Sequence, residues 1–236
     1  MFNDDIVLNV ENLQVGFRVA KQLVTPVHDV SFRITRGKTL GLVGESGCGK
    51  SVTAQSIMHL LSNNGSITNG RISYRAKDGR LIQLESLTKF GKEMSKLRGS
   101  EISMIFQDPM ASLNPVYTIG DQITEGLRRH SRLAKAEAIA LAVDLMDTLG
   151  IPKAKDRLRD YPHQFSGGMK QRVMIAIAMI CNPNLLIADE PTTALDVTVQ
   201  AQIIELMQEI QKKFNTSIII ITHNSKRQTK PRLLSK

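Results

Sequence analysis

Gly44-Glu45-Ser46-Gly47-Cys48-Gly49-Lys50-Ser51 is the stretch that decides how this chain is read. The eight residues fit the phosphate-loop pattern G-x-x-x-x-G-K-[ST] at every fixed position. They follow an apolar run, Thr39-Leu40-Gly41-Leu42-Val43, that reads as a buried strand, and they precede a helix-like segment, Val52 to Leu61. A chance glycine-rich turn has no need of that strand–loop–helix setting, whereas a phosphate cradle does. Amide N–H groups of such a loop turn inward on phosphate oxygens, and the start of the helix adds a favourable dipole. Lys50 supplies a point charge for the β- and γ-phosphates, and the Ser51 hydroxyl suits Mg²⁺.

Outward from the loop, strands alternate with helices. Short alternating segments, Val7-Leu8-Asn9-Val10 and Val27-His28-Asp29-Val30-Ser31-Phe32, predict antiparallel strands over residues 6 to 36. Residues 67 to 84 continue the pattern, with Asp78-Gly79 as a hairpin turn. Residues 118 to 180 read as mostly helical, and the helix over Lys135 to Leu149 is stopped by Gly150 and Pro152. Asn184 to Ala188 and Ser217 to Thr222 read as strands. Val197 to Phe214 reads as a helix with an apolar stripe of Ile203, Ile204, Leu206, Met207 and Ile210. The expected fold class is α/β: a mostly parallel sheet covered on both faces, decorated by an antiparallel region and a helical insertion.

Composition narrows the field. At 236 residues and 42% hydrophobic content the chain is one large domain, or a core with a subdomain, and can bury a real core. No apolar run approaches the ~20 residues needed to span a bilayer, and the acidic start MFNDDIVLNV lacks a signal-peptide pattern, so a cytosolic chain is expected. The net charge of +9 suggests nucleic acid, but five of those charges sit on the last thirteen residues, which hold no acid. A solvated tail accounts for them, and no nucleic-acid partner is expected. Cys48 and Cys181 have neither metal-site nor disulfide-framework spacing. Cys181 is expected to pack as a small apolar residue. Cys48, inside the loop beside Lys50, is expected to be a reactive thiol whose alkylation blocks nucleotide binding.

Two further motifs carry chemistry. Leu185-Leu186-Ile187-Ala188-Asp189-Glu190 is an apolar strand ending in two carboxylates, where parallel sheets place ligand chemistry. Asp189 suits Mg²⁺ and Glu190 suits activation of an attacking water. Phe165-Ser166-Gly167-Gly168-Met169-Lys170-Gln171-Arg172 opens another helix, and Ser166, Gly167 and Gly168 at its start form a second anion site by the same physics.

With these motifs in hand, residues 5 to 223 resemble the nucleotide-binding subunits of ATP-binding-cassette (ABC) transporters. GESGCGKS matches the family's Walker A motif, SGGMKQR its signature, and LLIADE its Walker B motif. Ala194-Leu195-Asp196 looks like the D-loop, Gln107 like the Q-loop glutamine, His223 like the switch histidine, and Phe17 is placed like the aromatic that stacks on adenine. The run Gln107-Asp108-Pro109-Met110-Ala111-Ser112-Leu113-Asn114-Pro115, with Met169 in the signature and the DEPTTALDVTVQAQ run from Asp189 to Gln202, is similar to the peptide/nickel importer branch.

The resemblance implies ATP and Mg²⁺ as ligands. It implies a pair of ATPase subunits, alike or different, sandwiching two ATP molecules. Gly44 to Ser51, Phe17 and Asp189 would serve one nucleotide. Ser166, Gly167 and Gly168 would serve the nucleotide held by the partner. Glu190 would activate water, His223 would hold γ-phosphate and water in line, and Gln107 would serve both metal and catalysis. Two transmembrane permease subunits and an extracytoplasmic solute-binding protein would complete the system at the cytoplasmic face of the inner membrane, with the helical insertion over about residues 95 to 180. After His223 the family continues with Asp-Leu, a helix and two more strands. Here residues 224 to 236 form a basic tail without helical or strand period. A shortened chain is therefore expected. A truncated, non-hydrolysing remnant stands as the alternative, with a soluble ABC ATPase acting on nucleic acid behind it.

Overall fold

The alternating apolar residues near the N-terminus build one sheet and the continuous apolar runs build another. In the computed structural model, residues 4–20, 22–108, 112–192 and 196–222 are described. They begin β1 (Ile6–Val19), β2 (Gln22–Thr35), β3 (Thr39–Val43), α1 (Lys50–Ile57), β4 (Gly65–Arg75) and β5 (Leu81–Gln83). Then come α2 (Lys92–Leu97), β6 (Ile102–Ile105), α3 (Ile119–His130), α4 (Lys135–Thr148) and α5 (Ala154–Arg157). The last described elements are α6 (Gly167–Met179), β7 (Leu185–Asp189), α7 (Val197–Phe214) and β8 (Ser217–Thr222).

The first sheet is antiparallel, in the order β2-β1-β4-β5. Its β4–β5 hairpin turns at Asp78-Gly79 as expected, with Gly79 at φ +85 and the Ala76 N–H donating to Arg80 O at 2.9 Å. Asn12, Asp29 and Gly70, on three neighbouring strands, all have positive φ, and the β1 register slips between Val10 and Leu13. Asn12 Nδ2 donates to Asp29 Oδ1 at 2.7 Å across this line of bulges.

The second sheet is parallel, in the order β3-β8-β7-β6. Its side chains alternate between two cores, as a strand's period of two demands. Leu185, Ile187, Ile219 and Ile221 join Leu8, Leu13, Val15, Ile57 and Ile72 under the antiparallel sheet. Leu186, Ala188 and Ile218 join Met146, Val173, Ile175, Ile203 and Met207 under α4, α6 and α7. Both faces are thus covered, which explains the unbroken apolar runs. Residues 95 to 180 are not wholly helical: β6 within them is a strand of the parallel sheet, and α3, α4 and α6 pack together beside it.

Helix ends follow local chemistry. Thr118, Ser166 and Asp196 cap α3, α6 and α7 through side-chain oxygens. Helix α1 starts inside the motif at Lys50 and stops at Ile57, short of the expected Leu61. There Leu60 N–H donates to Gln55 O and His59 N–H to Ser56 O, with His59 at φ +52. This is a Schellman end with His59 where glycine is usual. At the opposite end of the sheet from the phosphate loop, buried Asn184 accepts from Arg36 Nη1 at 2.8 Å and donates to Arg75 O at 3.0 Å. Tyr74 OH donates to Glu101 Oε2 at 2.8 Å, and burial with that carboxylate beside it pushes the phenol far above its usual range.

Candidate functional site

The phosphate loop connects β3 to α1, with Glu45, Ser46, Gly47 and Cys48 exposed, Gly44, Lys50 and Ser51 half-buried and Gly49 buried. Gly49 has φ +90, and a Cβ there would stand 2.5 Å from Pro26 O and 2.9 Å from Val27 Cγ2. Only glycine fits, and the close approach seats the loop on β2. This support from Pro26 and Val27 has no signature in the sequence. Lys50 Nζ donates to Gly44 O at 2.8 Å and Glu45 O at 2.7 Å, and lies 3.6 Å from Cys48 Sγ. Its ammonium is therefore held inside the loop it would share with a phosphate.

The two carboxylates at the end of β7 are both buried, Asp189 and Glu190 each 6% exposed. Ser51 Oγ donates to Asp189 Oδ1 at 3.0 Å, which joins the loop to β7. Gln107 Nε2 donates to Glu190 Oε2 at 3.0 Å, which joins the end of β6 to the same place. Glu190 has φ +48, a left-handed backbone that costs a glutamate energy and marks a constrained position. Its N–H donates to Ile221 O at 3.1 Å.

A hydroxyl and a carboxylate 3.0 Å apart are hard oxygen donors of the kind Mg²⁺ takes. Among the described residues no group of three or more His, Cys, Asp or Glu forms a metal cage. Mg²⁺ usually takes one or two carboxylates and completes its shell with water and substrate phosphate.

Phe17 is half-buried, pairs with Val24 on β2 and Gly65 on β4, and rests on Gly65, where a Cβ would stand 2.6 Å from the ring. Val24 lies two residues before Pro26, so the ring belongs to the end of the sheet that meets the loop. Ser166 and Gly167 are exposed at the start of α6, and Ser166 Oγ accepts from Met169 N–H at 3.4 Å. Helix α6 packs on β6, three inter-strand steps (about 14 Å) from β3 by strand order. The geometry thus brings Gly44 to Ser51, Asp189, Glu190 and Gln107 together, with Phe17 at the margin and Ser166, Gly167 and Gly168 apart. His223, Pro109, Met110, Ala111, Ala194, Leu195 and the basic tail lie outside the described residues.

The profile of one family, ABC transporter, matches residues 27–193. The chain belongs to the ABC transporter family. The dipeptide transport ATP-binding protein DppD of Bacillus subtilis (strain 168) is 53% identical over 219 residues, which cover 92% of this chain and 63% of DppD. The oligopeptide transport ATP-binding protein OppD of Escherichia coli (strain K12) is 51% identical over 220 residues, covering 93% of this chain and 63% of OppD. The chain therefore spans a little under two thirds of the length of these relatives. Among solved structures, the ATP-binding cassette MJ0796, in a dimeric post-hydrolysis state with ADP and Pi, superposes with a TM-score of 0.77. It shares 25% sequence identity, over 92% of this chain and 88% of that one. The α/β phosphate-loop fold expected for an ABC cassette is the fold observed.

Proposed function

We propose that this chain is the ATP-binding and ATP-hydrolysing subunit of an ABC importer for peptides. The observation that carries the reading is the convergence of Ser51, Asp189, Glu190 and Gln107 through two 3.0 Å contacts. The relatives named for dipeptide and oligopeptide transport support the substrate class. When bound, Mg²⁺ would be held by Ser51 and Asp189 and would neutralise phosphate charge.

The chain's own residues divide the remaining work. Lys50 exchanges its two loop carbonyls for β- and γ-phosphate oxygens, and the loop amides wrap the phosphates. Phe17 offers a ring face to the base. Glu190, freed from Gln107, accepts a proton from the attacking water, and His223 holds that water and the γ-phosphate in line. Catalysis of this kind is chiefly positioning and charge stabilisation.

Ser166 and Gly167 are exposed and Gly168 is half-buried, at the start of a helix that packs on β6, the opposite edge of the sheet from β3 and their own loop. They suit the γ-phosphate of an ATP held by a second ATPase subunit, whether a copy of this chain or a different one. The dimeric state named for MJ0796 supports that arrangement. Two transmembrane permease subunits and an extracytoplasmic solute-binding protein complete the proposed system, with this chain peripheral at the cytoplasmic face of the inner membrane. No helix among the described residues is long and apolar enough to cross a membrane.

The test is MgATP hydrolysis by the purified chain beside Glu190→Gln, with folding checked by circular dichroism. Turnover that disappears in Glu190→Gln supports the reading. A folded chain that neither binds nor hydrolyses MgATP, alone or with its membrane partners, refutes it.

A further inference from the structure

The positive charge of the folded body is unevenly spread. Residues 1–223 carry a net charge of +4, yet Lys89–Arg98 and Arg128–Lys135 together carry +7. The rest of the body is therefore net acidic.

The two basic segments meet in space. Arg98 donates to the Lys89 carbonyl. Arg129 stands close enough to Arg98 and His130 for its charge to depress the pKa of both, beneath a larger effect of burial. A Cβ on Gly99 would stand 3.3 Å from His130 Nε2. Among the described residues, none of the lysines and arginines in these segments is in a salt bridge. Glu93, the acid within Lys89–Arg98, lies 3.8 Å from Arg80 instead.

Phe90, in the first segment, is 84% exposed. Lys89 Nζ is 5.5 Å from its ring centroid, and Lys92 follows two residues on. Leu133, in the second segment, is 41% exposed. A cationic field without salt bridges among the described residues, beside an exposed aromatic, is the chemistry of attachment to an anionic membrane surface: charge draws the protein in and the ring enters the headgroup layer.

We propose that the surface formed by the exposed side chains of Phe90, Lys92, Lys96 and Arg129 docks on the headgroups of an anionic phospholipid bilayer. The proposal rests on the importer reading, which puts the chain beside a membrane. It adds a direct lipid contact to the contacts with permease subunits.

The experiment is co-sedimentation of the full chain with vesicles of phosphatidylcholine containing phosphatidylglycerol, and with vesicles of phosphatidylcholine alone. Each cation near such a surface is worth about fivefold in partitioning. The variant K92Q/K96Q/R129Q, altered at three exposed side chains, should therefore bind about a hundredfold less well. The charge-keeping variant K92R/K96R/R129K should bind like the parent, Phe90→Ser should bind more weakly, and salt should weaken all of them.

Because the basic tail is present in every variant, unchanged binding by K92Q/K96Q/R129Q would assign the attraction to the tail and overturn the proposal. Equal binding to phosphatidylcholine alone would overturn it as well. So would tighter binding to a short oligonucleotide that the same substitutions abolish, since that surface would then be a nucleic-acid site. MgATP binding measured without vesicles separates the two readings: a chain that binds nucleotide but ignores anionic vesicles loses this inference alone.

Discussion

Glu190 gives a prediction in which the usual order of two residues reverses. Its φ of +48 lies in the left-handed region, and it follows a strand with no glycine at the turn. A side chain bearing Cβ costs about 1–2 kcal/mol in that conformation. Glycine escapes the cost, but it loses about 0.5–1 kcal/mol more chain entropy on folding than alanine does. Comparing Glu190→Gly with Glu190→Ala cancels the loss of the carboxylate and of its bond to Gln107, which is exposed and open to water. Glycine should therefore be the more stable of the pair by about 0.5–1 kcal/mol. For a domain of this size that is roughly 1–4 °C in melting temperature. The assay is urea unfolding of both variants, read at the midpoint, with ATP turnover measured alongside. Both variants should be silent in turnover, because neither can take a proton from water. If alanine proved more stable by the ordinary helix-and-strand margin, the left-handed strain at Glu190 would be refuted.

Other outcomes follow from the same geometry. Ser51→Ala removes the donor to Asp189 Oδ1, so nucleotide affinity should fall at least tenfold with Mg²⁺ and change little with EDTA; equal losses in both would refute a metal role. Thiol alkylation should fall on exposed Cys48 rather than on half-buried Cys181, whose thiol is pushed up by burial despite nearby Lys77. MgATP should protect Cys48, and equal labelling with and without nucleotide would count against it. Asn184→Ala removes the partner of the Arg36 guanidinium and of the Arg75 carbonyl at a part-buried site, at a cost of about 1.5–3 kcal/mol in unfolding free energy; a loss under about 1 kcal/mol would sink the argument. Burial holds the pKa of His59 and of His130 below 6.5, so the folded state resists their protonation. Their contribution is full above that value and is lost as pH falls from 6.5 through the folded pKa. The variant H59Q/H130Q should therefore show a shallower loss of stability on acidification.

Local pattern made much of this legible. Helix α7 spans the Val197 to Phe214 expected from its apolar stripe, although its Asp196 cap was not read from the sequence, and β8 matches the expected apolar run Ser217 to Thr222. The end of α1 was not legible, because His59 takes a left-handed position that the sequence gives no reason to assign to it. Nor was β6, only four residues long and embedded in a segment whose neighbours are helical. The Asn184–Arg36–Arg75 contacts join residues more than a hundred positions apart, and nothing local announces them. Family resemblance assigned Gln107 to the site, but its hydrogen bond to Glu190 was not legible, since it depends on β6 and β7 being neighbours.

The left-handed turn at Glu190 also gives the two adjacent acids different partners. In a continuing strand, Asp189 and Glu190 would point to opposite faces of the sheet, one into each core. The turn breaks that alternation just past the last strand residue, while the Glu190 N–H stays tied to Ile221 O. Asp189 then reaches across β8 towards Ser51 and the β3 side, and Glu190 reaches the other way, to Gln107 at the end of β6. One side of the site belongs to the phosphate loop. The other belongs to the strand that leads into the α3, α4 and α6 helices. A displacement of those helices would pull on Gln107 and alter the freedom of Glu190 without disturbing the Ser51–Asp189 contact. In the proposed mechanism, the carboxylate that would accept the proton would thereby sense the position of the helical part, while the carboxylate suited to the metal would stay with the phosphate loop.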